Sequence, residues 1–212
     1  MLEWALNLFF PPVCGICGKL DDNWLCDKCS FEWNNKKYIN YLKIEGKFYN
    51  VLTYLFVYQD IRDLLLQYKF KNKAYMYNTF VNFILQDKNL CAKLMLYDII
   101  IPVPMSKVKK ASRGYNQTEL ISKKLAQMLN IEYENKCLVK KKVNKTQSSL
   151  NEKQRFENVK GVFGIENSNI IKNKNVILFD DIVTTGATVN ECARILKEAG
   201  AKKICVLAIA KD

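Results

Sequence analysis

From residue 97 onward, short uninterrupted apolar runs alternate with segments whose apolar residues recur at helical spacing. Tyr97 to Val103 is one such run, closing on Pro102-Val103-Pro104, and its length and content predict a buried strand. Arg113 to Leu129 follows as a helix with Ile121, Leu125 and Met128 on one face. Cys137 to Val139 begins another strand, and Gly161 to Ile165 makes a short one. Val176 to Phe179 is a clear buried strand. Thr188 to Ala199 is a helix with Val189, Cys192, Leu196 and Ala199 inward, ended by Gly200, and Ile204 to Ala210 is a last strand. Upstream, Tyr49 to Tyr58 reads as a strand, and residues 60–70 and 74–86 as two helices with Lys69, Lys71 and Lys73 between them. Strands of this kind alternating with helices predict an α/β fold, a parallel sheet covered on both faces. Only Lys140 to Lys160 breaks the rhythm. It is polar, charged and aperiodic, and long enough that a structureless loop there usually has a job.

Residues 1–35 read as an appendage to a domain of residues 36–212. Leu2 to Phe10 is apolar and ends at Pro11-Pro12, where a helix cannot continue. It is too short to span a bilayer, so it is a helix packed on the domain or a membrane-associated one. Cys14-x-x-Cys17 and Cys26-x-x-Cys29 follow, two pairs of thiolate ligands within sixteen residues. Ligand type and spacing point to a closed structural zinc site, whose metal would order a stretch poor in apolar groups. Iron–sulfur ligation, or redox chemistry by one pair, are the other readings of the same spacing. Cys91, Cys137, Cys192 and Cys205 are scattered as small apolar residues are, which fits a reducing compartment and a cytoplasmic protein.

Charge and composition narrow the chemistry. The formal net charge of +12 favours polyanions, although a sequence rich in lysine and asparagine is basic whatever its task. Histidine is absent, which excludes Ser-His-Asp and Cys-His catalysis and every histidine-ligated metal.

The sharpest signal is Val176-Ile177-Leu178-Phe179-Asp180-Asp181-Ile182-Val183-Thr184-Thr185-Gly186-Ala187-Thr188. An apolar strand delivers Asp180 and Asp181 to the carboxyl edge of a parallel sheet, where ligands bind in open α/β folds. Thr184, Thr185, Gly186, Ala187 and Thr188 then turn into a helix. Gly186 permits a tight turn, and the helix amides and threonine hydroxyls make a cradle for one phosphate. The two acids would repel phosphate but accept from sugar hydroxyls or hold magnesium. Phosphate cradle and hydroxyl acceptors together describe a ribose 5-phosphate. A nucleotide-hydrolase reading would need a Gly-x4-Gly-Lys-Ser/Thr loop, which the chain lacks.

This motif resembles the phosphoribosyl pyrophosphate (PRPP) motif of type I phosphoribosyltransferases. The resemblance implies a phosphoribosyltransferase-like parallel sheet flanked by helices, with Asp180 and Asp181 as catalytic residues on the ribose and Mg2+ on the pyrophosphate. It places the pyrophosphate loop at Val103, Pro104, Met105, Ser106 and Lys107, though that stretch also reads as an ordinary proline-terminated strand end. It implies that Lys140 to Lys160 closes over the ligand, with Lys145 and Arg155 as cations for the leaving group, or else is simply a solvated loop. Arg113-Gly114-Tyr115-Asn116-Gln117, with Pro102-Val103-Pro104 ahead of it and the cysteine pairs before that, closely resembles the ComF family of competence proteins. Arg113 opens a helix in this reading and pairs with phosphate or with a carboxylate of the fold.

The ComF resemblance implies a Zn2+ module at Cys14, Cys17, Cys26 and Cys29 ahead of a PRPP-binding domain, and a part in DNA uptake during natural transformation. Single-stranded DNA would be a partner, held by basic charge and by Trp24 and Trp33, unless those rings pack on the cysteine loop. A competence helicase or recombination mediator would be a further partner. The competing expectation is an active phosphoribosyltransferase of nucleotide metabolism, with residues 30–95 left to build the hood for an unknown acceptor.

Overall fold

The most apolar runs of the chain lie side by side at the centre of one sheet. The computed structural model describes residues 11–142 and 152–212. The segment Leu2–Phe10 and the candidate Lys145 lie outside them. Strand β3 (Ile99–Pro102) pairs parallel with β7 (Asn175–Val183), and β7 pairs parallel with β8 (Lys203–Lys211). β2 (Val51–Val57) adds parallel to β8, β1 (Asn40–Lys43) antiparallel to β2, and β4 (Glu132–Tyr133) parallel to β3. The order is β1-β2-β8-β7-β3-β4.

Alternate residues of the inner strands feed two separate cores. Ile100, Ile177, Phe179 and Leu207 face one, with helices α2 (Tyr58–Phe70), α3 (Tyr77–Leu85), α4 (Lys88–Leu94) and α6 (Gln117–Leu129). Ile99, Ile101, Val176, Leu178 and Val206 face the other, with α7 (Glu152–Val159), α8 (Ala187–Glu198) and the small ribbon β5 (Leu138–Lys140)–β6 (Phe163–Ile165). Crossover connections put helices on both faces of a parallel sheet, which is why residues 99–101, 176–179 and 204–210 are apolar at every position rather than at every second one.

The structure corrects three sequence expectations. Arg113 does not open the long helix: it is the last residue of a separate α5 (Lys107–Arg113). Gly114, at φ 82°, takes the left-handed turn that ends α5, and Asn116 caps α6 by accepting from Thr118 N at 3.3 Å. Met128 is 52% exposed, and Leu129 takes the inward place. The stretch 140–160 is not loop throughout. β5 reaches Lys140, and α7 is anchored by buried Val159 and by Gly161 N donating to Glu191 Oε1 at 2.9 Å. Helix α4, which the periodicity did not single out, starts where Asp87 accepts from Leu90 N at 2.7 Å.

The cysteine module and helix α1 (Asp27–Asn34) rest on α3. Thr79 Oγ1 donates to Trp24 O at 2.7 Å, Gln86 Nε2 donates to Ser30 Oγ at 2.7 Å, and Asn82 donates to Asn23 O. A Cβ on Gly15 would stand 2.2 Å from Thr79 Oγ1, so only glycine allows this approach. Cys14, Leu25 and Cys29 are buried in the same core as Phe80 and Phe83. Trp33 is half-buried, its ring 5.9 Å from both Phe56 and Phe83, and Trp24 is half-buried beside Tyr75 at 6.2 Å. Neither is the exposed stacking platform that the sequence offered. Packing against the domain holds them instead.

Candidate functional site

Strand β7 continues through both acids to Val183, because Asp180 and Ile182 keep their register with Ala208 and Ala210 of β8. The chain then turns at Thr184-Thr185-Gly186 and enters α8 at Ala187. Gly186 has φ 77°, and a Cβ there would lie 3.2 Å from Tyr49 Oη, so both conformation and space select glycine. Thr185 Oγ1 accepts from Ala187 N at 3.4 Å. The first turn of α8 carries no acid, and its first residues line a recess together with Asp180, Thr184, Thr185 and Gly186. That recess lies at the positive end of the helix dipole, a place that favours an anion.

The recess adjoins a cleft of about 450 Å3. Asp180, Asp181, Thr184 and Thr188 form its floor, Val103 to Ser106 one wall, and Tyr58 and Lys69 of α2 another. Lys69 Nζ lies 2.8 Å from Asp181 Oδ2, a pair with both side chains mostly withdrawn from water. Asp180 Oδ1 accepts from Asp181 N at 2.9 Å. Desolvation, and then the neighbouring Asp181 charge, hold the Asp180 carboxyl well above the usual carboxylate range, against the pull of Lys69. Desolvation lowers Lys140, which also lines the cleft, and Lys109 lowers it further. Two acids on the floor and cations on the walls suit a ligand that offers hydroxyl donors to one side and phosphate oxygens to the other.

The sequence candidates fare differently. Val103, Pro104, Met105 and Ser106 line the cleft; Lys107 is not among the lining residues, and Lys109 is. Ser106 Oγ caps α5 by accepting from Lys109 N at 3.3 Å. Arg113 lines the cleft with its guanidinium directed at the side-chain oxygen of Gln117 and stacked 5.0 Å from the Phe70 ring; it pairs with no carboxylate among the described residues. Arg155, on α7, reaches the turn with Nη1 3.3 Å from Thr184 Oγ1. Asn116, Gln117 and Thr118 are buried, and Thr118 Oγ1 donates to Val103 O at 2.9 Å, so this part of the string pins α6 to the loop after β3. Lys69 and Lys140 were not singled out as site residues. Lys69 is one of three lysines in a basic stretch, and Lys140 starts a charged segment; nothing local distinguishes either from solvated neighbours.

The four N-terminal cysteines converge, their sulfurs all within 4.8 Å of one another and Cys17 Sγ 3.7 Å from Cys26 Sγ. Zinc–sulfur bonds of about 2.3 Å in a tetrahedron put sulfurs about 3.8 Å apart, so the cluster fits one tetrahedral metal ion. Of the scattered cysteines, Cys137, Cys192 and Cys205 are buried and Cys91 is half-buried.

The family described as "Phosphoribosyl transferase domain" matches residues 102–212, from the end of β3 to the end of the chain. The chain belongs to that family. Ahead of the phosphoribosyltransferase domain it carries the cysteine module, and its similarity to competence proteins makes it a member of the ComF family. It is 29% identical over 204 residues to Competence protein F of Haemophilus influenzae, which covers 94% of this chain and 85% of that one. It is 31% identical over 151 residues to Competence protein ComFC of Streptococcus pneumoniae, covering 71% and 63%. The match to DNA utilization protein YhgH of Escherichia coli K12 is 31% over 113 residues, and spans about half of each chain at 53% and 49%. Among the described residues, no helix of the phosphoribosyltransferase domain or the cysteine module is long and apolar enough to cross a membrane.

Proposed function

We propose that the cleft binds PRPP, or a related ribose 5-phosphate, with Mg2+, and that the protein serves in the cytoplasm to handle DNA taken up in natural transformation. One observation carries the ligand assignment: Asp180 and Asp181 stand at the carboxyl edge of β7, beside the Gly186 turn and facing the cleft. Thr184 to Thr188 hold the 5-phosphate, the two acids accept from the ribose hydroxyls, and Val103 to Ser106 with Lys109 face the pyrophosphate. Mg2+, when bound with PRPP, neutralises pyrophosphate charge. Arg155 and Lys145 come from the segment that would cover the leaving group. The four cysteines hold Zn2+ as a structural ion, since four thiolates leave no open position for chemistry. The role in DNA handling rests on relatives named as competence and DNA utilization proteins and on the +12 charge. Single-stranded DNA is the direct partner in this reading, and a competence helicase or recombination mediator a protein one.

Calorimetry with Mg2+ and PRPP tests the ligand. Wild type should bind, and Asp180→Ala with Asp181→Ala should not; equal binding by both would sink the assignment. A second reading, an active phosphoribosyltransferase, draws support from Tyr58 and Lys69, since residues upstream of the family match do wall the cleft. In that reaction the bond from ribose C1 to pyrophosphate breaks, a nitrogen nucleophile bonds to C1 and loses its proton, and the acids position the ribose as charge develops. Pyrophosphate release that depends on an added base would establish it.

A further inference from the structure

We propose that a groove at the opposite, amino edge of the sheet is a binding site for single-stranded nucleic acid. The inference deepens the DNA-handling reading above and rests on it. The groove measures about 580 Å3 and is lined by Tyr41, Lys43, Lys93, Leu96, Lys202 and Lys203, among others. It lies where β7 and β8 begin, at Asn175 and Lys203, whereas the acids of the PRPP cleft lie towards the far end of β7. The two sites therefore occupy opposite edges and can be filled independently.

Four lysines share this groove, and all four are exposed. None of them makes an ion pair among the described residues, whereas nearby Lys174 is neutralised by Glu132. Two acids lie near the groove, Asp98, which accepts from Asn175 N at 2.6 Å, and Asp87, which accepts from Leu90 N at 2.7 Å and acts on the Tyr41 hydroxyl; neither is paired with a groove lysine. Four like charges without a salt-bridge partner around one cavity repel one another and attract a polyanion.

The groove also carries rings. Lys93 Nζ sits 3.9 Å from the centre of the Tyr41 ring, and Lys203 Nζ 5.6 Å from that of Tyr97. Tyr41 is 37% exposed and Leu96 75% exposed. An unpaired base can take the place of Lys93 on the Tyr41 face while the ammonium moves to a phosphate, so one ligand satisfies both groups. That combination of lysines tracking phosphates and an aromatic face taking a base is the recognition chemistry of single strands. A duplex hides its base faces, and a small anion would leave Tyr41 and Leu96 unused.

The test is fluorescence anisotropy of a labelled oligothymidylate with the full-length, zinc-loaded chain, across a salt series. Lys93→Glu, Lys202→Glu and Lys203→Glu together should weaken binding roughly tenfold or more at low salt, and make the log–log salt slope shallower by about 2, given about 0.7 per lost phosphate contact. PRPP binding should be unchanged, which also shows the variant folded. Should the triple variant fail to fold, Lys93→Gln with Lys203→Gln gives the same reading with a slope change of about 1.4. Tyr41→Leu should weaken single-strand binding without altering the slope. If wild type binds and the lysine variants bind as tightly with the same slope, the groove is not the site, while the DNA-handling reading stands. If wild type binds no single strand at low salt, that reading fails and takes the groove with it. Tighter binding of a duplex of equal length would overturn the single-strand assignment.

Discussion

The two edges of the sheet handle charge in opposite ways. At the carboxyl edge, Asp181 is paired with Lys69 at 2.8 Å, desolvation pushes the Asp180 carboxyl up, and Gly186 commits the turn to one shape. At the amino edge, four lysines stand exposed, with tyrosine rings as near neighbours. Compensated, half-buried charge specifies a small ligand, because each group's partner must be replaced by a particular ligand atom. Uncompensated surface charge selects a class of ligand by its net sign, and does so most strongly at low salt.

The contrast between the two edges can be tested by substitution, beginning with the most damaging change. Cys26→Ser, or chelation of the Zn2+ proposed for the cysteine cluster, should damage both edges together. The module's Cys14, Leu25 and Cys29 belong to the core that underlies the whole sheet face. A loss of more than about 4 kcal/mol is expected, read as a large fall in thermal midpoint. Next, Asp180→Ala with Asp181→Ala should cost PRPP affinity roughly a hundredfold or more, from two lost charged hydrogen-bonding groups, and leave oligothymidylate binding within about twofold. A matching loss of DNA binding would mean the edges are not separate.

Gly186→Ala should cost about 1–2 kcal/mol of stability, because alanine is strained at φ 77° and its Cβ meets Tyr49 Oη at 3.2 Å. Adding Tyr49→Phe should recover part of that loss, by removing the contact and leaving the strain; no recovery would place the whole cost in the backbone. The smallest effect is a pH dependence. Desolvation raises the Asp180 carboxyl above its ordinary value in the folded protein, so this group's contribution to stability falls as pH rises from that ordinary value through the raised one. Asp180→Asn should therefore gain a few degrees of thermal midpoint at neutral and alkaline pH and none in acid, while losing ligand affinity. Mg2+–PRPP should bind wild type more tightly as pH rises through the same window, with proton release visible as a buffer-dependent enthalpy.

The carboxyl edge was legible in the sequence because its chemistry is contiguous. Acids, turn and helix start follow one another from Asp180 to Thr188, and each residue type has a local reason. Lys69 was not, because it lies more than a hundred positions from Asp181 and meets it only once α2 packs on β2 and β8. Arg113 was misplaced because a single glycine, tolerated within a helix pattern, in fact took the left-handed turn that ends one. The tryptophans of the cysteine module could not be judged from sequence either, since Trp33 is covered by Phe56 and Phe83 from distant elements.

The parallel sheet, the four-sulfur cluster and the Gly186 turn can each be read from residue order, since each depends on spacing along one stretch of chain. Which lysine neutralises which acid, that the cysteine module rests on α3, and that four lysines separated by up to 160 positions meet in one groove all follow from packing between distant segments. The physical reason is range: backbone geometry acts over a few residues, whereas charge and burial act through space, between whatever side chains the fold brings within a few ångströms.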